Sequence, residues 1–199
     1  MNKAMNKTTN CGQSNARNST ARNITVWDPL VRIIHWGLAL AILLNATIID
    51  DDSNLHIMIG YATLGLVIVR LVWGWIGSKY AKFSAFPPNP GAALRYLKGL
   101  AKGDKTLHLS HNPMGALMVY NIWATVLLIA ATGYMMGTTR FFGMEWVEEI
   151  HEIAFGWLIL SIALHIGGVI FDSLHSGVPL VKSMVNGKKR IPGNRLNDD

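Results

Sequence analysis

The chain reads as an all-α membrane protein, a four-helix transmembrane bundle with a short interfacial amphipathic helix. Three observations predict this. Of its 199 residues 50% are hydrophobic and only 15% are charged, whereas a soluble domain carries about 25% charged residues. The deficit is concentrated in four apolar blocks, 31–49, 57–76, 114–135 and 153–171, each near the ~20 residues that cross a hydrocarbon core. The flanks of those blocks alternate in sign along the chain, basic then acidic, and end basic. Four spans leave little chain for anything else, so one membrane domain is expected over 24–190, with polar tails at 1–23 and 191–199.

The net charge of +6 comes from 18 Lys and Arg against 12 Asp and Glu. Its distribution speaks for topology and against a nucleic-acid partner. Lys3, Lys7, Arg17, Arg22 and Arg32 precede the first span. Lys79, Lys82, Arg95, Lys98, Lys102 and Lys105 lie between the second and third, and Lys182, Lys188, Lys189, Arg190 and Arg195 follow the fourth. The remaining connections are acidic, with Asp50, Asp51 and Asp52 in one and Glu145, Glu148 and Glu149 in the other. Under the positive-inside rule both termini and the 77–112 connection are cytoplasmic. The expected location is a membrane, crossed several times and in contact with lipid.

Taken in order, residues 1–23 are rich in Asn, Thr and Ser and lack an apolar run, which predicts a disordered tail rather than a signal peptide. The first span opens with Asp28-Pro29, an N-cap followed by proline at the first helical position. Trp27 and Trp36 suit the membrane interface, as do Trp73 and Trp75 at the end of the second span. After a loop with Pro87, Pro88 and Pro90, residues 91–102 place Leu94, Leu97 and Leu100 near one stripe and Arg95, Lys98 and Lys102 off it. That pattern predicts a basic helix lying on the anionic leaflet; a solvated basic loop is the competing reading. The third span offers Asn121, Thr125 and Thr132 as polar interior groups and completes the bundle.

Four histidines, His35, His56, His151 and His165, sit inside or at the rims of these apolar blocks, where imidazole is costly to bury. His151 and His165 are fourteen residues apart, a spacing that returns to nearly the same helix face about 21 Å along the axis. Topology puts His35 and His165 toward the cytoplasmic side and His56 and His151 toward the periplasmic side. Depth therefore pairs His35 with His165 and His56 with His151. Each pair joins two helices at one level, as bis-histidyl haem ligation requires. Zinc prefers three or four clustered ligands, which two per level do not supply. The other reading makes these histidines packing residues or members of a proton relay. With Cys11 as the single cysteine, neither a Cys-x-x-Cys-His attachment nor a cysteine-ligated iron–sulfur cluster is available. Any haem here is b-type.

Arg70 lies fourteen residues after His56, which places it on the cofactor side at the cytoplasmic level. There it either pairs with a haem propionate through bidentate geometry or snorkels to the interface. Arg32, just before His35, carries the same two readings. Gly60 after His56, Gly168 after His165 and Gly37 after His35 would let a porphyrin approach, or let helices pack closely. His108 and His111, before the third span, are candidates for proton exchange at a quinone site, or ordinary loop histidines.

The stretch from Val26-Trp27-Asp28-Pro29 to His35-Trp36 resembles the bacterial cytochrome b561 family, in particular the branch of the cytochrome b subunit of nickel–iron hydrogenases. So do the run from His56 through Gly60 and Arg70 to Trp73-Gly74, the segment Ser110-His111-Asn112-Pro113-Met114-Gly115-Ala116, and His151 with His165. The resemblance covers about 24–190. It implies two haem b groups, ligated by His35 with His165 and by His56 with His151, in agreement with the depth pairing. It implies electron movement between the quinone pool and a periplasmic redox protein such as a multihaem cytochrome c or a hydrogenase; homodimerisation stays open. Two rival readings remain: a stand-alone superoxide:quinone oxidoreductase, which an acidic periplasmic face disfavours by repelling superoxide, and a haem-free membrane anchor or proton relay.

Overall fold

The computed structural model describes residues 22–103 and 109–191. Most of the two expected tails, and His108, fall outside those bounds. The elements run β1 (Arg22–Thr25), α1 (Pro29–Thr47), α2 (Asn54–Ile76), a 3-10 turn (Phe83–Ala85), α3 (Pro90–Ala101), α4 (Pro113–Met136), α5 (Glu145–Ser176), α6 (Leu180–Asn186) and β2 (Lys188–Ile191).

The helix starts follow side-chain capping chemistry. Asp28 accepts from the Val31 N–H at 2.9 Å, with proline at the first position of α1. Ser53 accepts from the His56 N–H at 3.1 Å for α2, Asn89 from Ala92 at 2.9 Å for α3, and Asn112 from Gly115 at 2.7 Å for α4. Each satisfies one of the N–H groups a helix start leaves open. No side chain caps α5; Glu145 and Glu148 in its first turn suit the positive end of the helix dipole. Gly177, at φ +71°, ends it in the left-handed conformation that glycine adopts without strain.

Four helices, α1, α2, α4 and α5, are long and apolar enough to cross a membrane. The fold is the expected helical membrane bundle, with α5 reaching eight residues further toward its start than the apolar block did. Much of its apolar surface points outward, with Trp75, Ile153 and Leu174 widely exposed, as lipid contact requires. Inside, α1 packs along α2, α2 along α4 and α4 along α5. Among the described residues, α5 shows no comparable backbone packing against α1 or α2. The histidine pairs fall across that seam.

The basic end of the bundle holds α3, α6 and the connections rich in Lys and Arg; the acidic end holds the 48–53 and 137–144 turns. At the basic end β1 pairs antiparallel with β2, Arg22 opposite Ile191 and Thr25 opposite Lys188. The sequence reading put residues 22, 23 and 191 in the tails, so this pairing is a departure from it. Four-residue strands carry little local signal, and their partner lies across the whole bundle. Gly187, at φ +80°, receives the N–H groups of Val26 and Trp27 at 2.9 and 3.1 Å. A Cβ there would lie 2.6 Å from the Trp27 carbonyl oxygen.

The proline-rich connection is packed too. Phe83 and Phe86 insert against Tyr120 and Trp123 of α4. Gly74 makes room for this: a Cβ there would stand 2.3 Å from the Phe83 ring. In α3, Ala93 is the buried residue, and Leu94 and Leu97 stay exposed, leaving part of the leucine stripe for the bilayer surface.

Candidate functional site

The four histidines meet as two pairs. His35 on α1 and His165 on α5 hold their ring centroids 6.4 Å apart at an interplanar angle of 57°. His56 on α2 and His151 on α5 stand 6.4 Å apart at 54°. An ion bonded at about 2 Å to one nitrogen of each ring separates the ring centres by about 6 to 6.5 Å. Both gaps therefore admit one metal ion ligated from two helices. The fourteen-residue step from His151 to His165 sets the two levels about 21 Å apart along α5. Among the described residues, no group of three or more His, Cys, Asp or Glu converges on a metal position. The two axial positions of a haem iron need only two imidazoles, and this donor set fits them.

At the acidic-end level, Thr132 Oγ1 lies 2.9 Å from His151 Nδ1. Gly133 lets that ring lie close, since a Cβ there would be 3.4 Å from His151 Cε1. Across the gap, Asn45 Nδ2 donates to the His56 carbonyl at 3.2 Å. His56 Nδ1 is buried with no hydrogen-bond partner among the described residues, a state that costs about 1–3 kcal/mol when nothing fills it. Gly60 borders open space, with nothing within 4 Å of a Cβ built on it, and Gly168 does the same. Gly37 instead packs, its Cβ position 3.2 Å from Leu66 Cδ1, so there the glycine serves the contact of α1 with α2.

The basic-end level is roofed by aromatic and cationic groups. Arg70 is only 5% exposed. Its Nη2 donates to the Ala81 carbonyl at 3.1 Å, and its guanidinium centre lies 5.1 Å from the Trp123 ring centroid and 5.8 Å from that of Phe86. Its Nη1 is buried without a partner among the described residues. Arg32 turns toward α6, where its Nη2 donates to the Val185 carbonyl. Its Nε is buried and unpartnered among the described residues, beside a cleft lined by Pro29, Ile33, Trp36 and Val185.

His111 is wedged between Trp27 and Phe86, at 4.9 and 4.8 Å between ring centroids. Burial, reinforced by the charges of Lys189 and Arg70 and by the neighbouring His165 and His35, pushes its imidazole down to about 3. It is held neutral, which does not suit proton exchange near pH 7. Lys189 of β2 is also only 5% exposed. Its Nζ donates to the Ser110 carbonyl at 2.9 Å and lies 5.6 Å from the Trp27 ring centroid. Burial lowers its ammonium to about 8, against the opposing pull of Asp172. Asp28 accepts from Trp73 Nε1 at 3.0 Å and from the Ser78 hydroxyl. Burial would raise its carboxyl, but the bonds from Ser78, Trp73 and Val31 and the charge of Arg70 hold it below the usual carboxylate value.

Sequence reasoning missed Lys189, Phe86 and Thr132 as parts of these surroundings. Lys189 was counted with the topological charges. Its signal is the period of two along β2, with Lys188 and Arg190 exposed on either side of a buried residue. Thr132 was named only as a polar interior group, and Phe86 carried no signal beyond its aromatic ring. His175 stacks on Phe171 near the end of α5, away from either pair.

No curated protein and no solved structure matches the chain. Residues 26–187, from the end of β1 to the glycine before β2, match the family described as prokaryotic cytochrome b561. That match takes in all four membrane helices and both histidine pairs. The chain belongs to the prokaryotic cytochrome b561 family, as a multi-pass bacterial membrane protein that transfers electrons on haem b.

Proposed function

We propose that this protein holds two haem b groups at two depths and relays electrons across the membrane between the quinone pool and a redox protein on the far side. The carrying observation is the equal 6.4 Å separation of the His35–His165 and His56–His151 rings. Each pair would hold a haem through two imidazole nitrogens contributed by different helices. Bound there, haem b supplies reversible one-electron chemistry.

The chain's own groups do the rest. The apolar helices exclude water from both levels. Arg70, with a buried and unpartnered Nη1, is the donor toward a propionate at the basic-end level, and Arg32 is a second donor there through its Nε. Gly60 leaves the α2 surface open beside His56. By the positive-inside rule the basic end is cytoplasmic. The partner, a multihaem cytochrome c or a hydrogenase, then meets the acidic periplasmic end, where Asp50–Asp52 and Glu148–Glu149 favour a basic docking face. The membrane domain spans 24–190.

The test is the haem content of the purified full-length chain from haem-replete cells. Pyridine haemochrome is expected to give about two haem b per chain, with low-spin spectra of bis-imidazole ligation. A value near one removes the two-level reading, and a value near zero favours the haem-free relay.

A further inference from the structure

We propose that the Thr132 hydroxyl fixes the proton position and orientation of His151, making the two levels unequal in ligand basicity. This rests on the reading that His151 ligates a haem. Thr132 Oγ1 lies 3.0 Å from the Leu128 carbonyl oxygen and 3.0 Å from that of Ile129. Carbonyl oxygens only accept, and a hydroxyl has one hydrogen and two lone pairs. That hydrogen is committed to its own helix. What Oγ1 presents to His151 Nδ1, at 2.9 Å, is a lone pair. Nδ1 therefore carries the proton and donates, and Nε2 keeps the free pair that a metal needs. Gly133 completes the arrangement by admitting the ring against α4, its Cβ position 3.4 Å from His151 Cε1.

No other member of the two pairs has such a bond among the described residues. Among the described residues, His56 Nδ1 is buried without a partner, and no hydrogen bond reaches a ring nitrogen of His35 or His165. An imidazole that donates its second N–H to an acceptor becomes a more basic ligand and is locked in one orientation. A more basic ligand favours the oxidised metal and lowers the potential of its level. Thr132 is thus a positioning residue, acting through His151.

The experiment uses the full-length haem-loaded protein with Thr132→Val, which keeps the shape and removes the hydroxyl, and Thr132→Ser, which keeps the hydroxyl. Thr132→Ala is a second hydroxyl-less variant should valine impair assembly. A redox titration with optical detection, ferric low-spin electron paramagnetic resonance and haem transfer to an apoglobin are read on each. In Thr132→Val one midpoint is expected to rise and its ferric signal to shift, with haem lost from that level about 10-fold faster or more. The other midpoint stays, and Thr132→Ser behaves as wild type. Two unchanged midpoints with unchanged haem retention in Thr132→Val overturn the proposal. So does Thr132→Ser failing in the same way as Thr132→Val, since keeping the hydroxyl would then not preserve the level. A wild-type protein without haem overturns the underlying reading instead, and is told apart by the haem content alone.

Discussion

The two histidine levels share one ring separation and differ in almost everything around it. At the acidic end the neighbours are local, Thr132 and Gly133 on one helix and the Asn45 amide on another, with the Glu152 carboxylate next to His151 in the chain. At the basic end they are charged, aromatic and distant in sequence: Arg70, Phe86, His111 and Lys189 come from a helix, a loop, a helix approach and a terminal strand. The histidine spacing follows from helix periodicity, which is cheap to encode. Electrostatic tuning has to be imported from elsewhere in the chain. The comparison predicts that the levels take the same kind of ligand pair and conduct at different potentials.

The largest effect is expected on cofactor content. Replacing His151 with Ala removes the acidic-end haem and spares the other; replacing His165 with Ala does the reverse. Pyridine haemochrome on each folded single variant should fall to about half the wild-type value. Loss of both haems from a bundle that still folds would show that the levels depend on each other, and would break the pairing.

How much of this was readable beforehand follows from which residues carry local signals. The bundle, the Asp28 cap and the pairing of four histidines all rest on periods of 3.6 residues and on charge flanks, so the sequence displays them. The roof over the basic end does not. Lys189 is inward because β2 pairs with β1 more than 160 positions earlier, and a strand of four residues cannot announce that. Phe83 and Phe86 lie in a connection whose prolines read as solvated loop, yet Gly74 opens a berth for them on α2. His111 looked like a titrating loop residue because its cover, Trp27 and Phe86, comes from two other segments.

A smaller effect should appear in the order of reduction. Arg70 and Lys189 place buried positive charge on the basic-end side, which favours the reduced state of that level, whereas the Thr132 bond favours the oxidised state of the other. The His35–His165 level is expected to be reduced first, and the His151→Ala and His165→Ala variants assign the two steps. A unit charge about 10 Å away is worth about 1.5 kcal/mol at an effective dielectric of about 20, or about 60 mV for one electron. Lys189→Met should lower the higher midpoint by an amount of that order and leave the lower one in place. A shift confined to the lower step would reverse the assignment of charge to level.

The smallest effect concerns acid. His111 stands near 3 in the folded protein because it is buried beside Lys189 and Arg70, while unfolded imidazole titrates near about 6.5. Between those values the unfolded chain binds the extra proton, so stability is complete above about pH 6.5 and falls as pH drops. Asp28 adds to this in the same direction, lower down. Its carboxyl is held below 3.8 by Ser78, Trp73, Val31 and Arg70 against the effect of burial, so its contribution is present above that value and is lost on protonation. Both groups brace the basic end. Detergent-solubilised protein should lose about 1 kcal/mol per pH unit below about pH 6, read as a falling midpoint of thermal unfolding. His111→Gln should flatten that slope down to about pH 4, where the Asp28 contribution remains. An unaltered slope in His111→Gln would mean that the acid sensitivity lies in the histidine pairs themselves, and the basic-end roof would then be a packing feature rather than an electrostatic one.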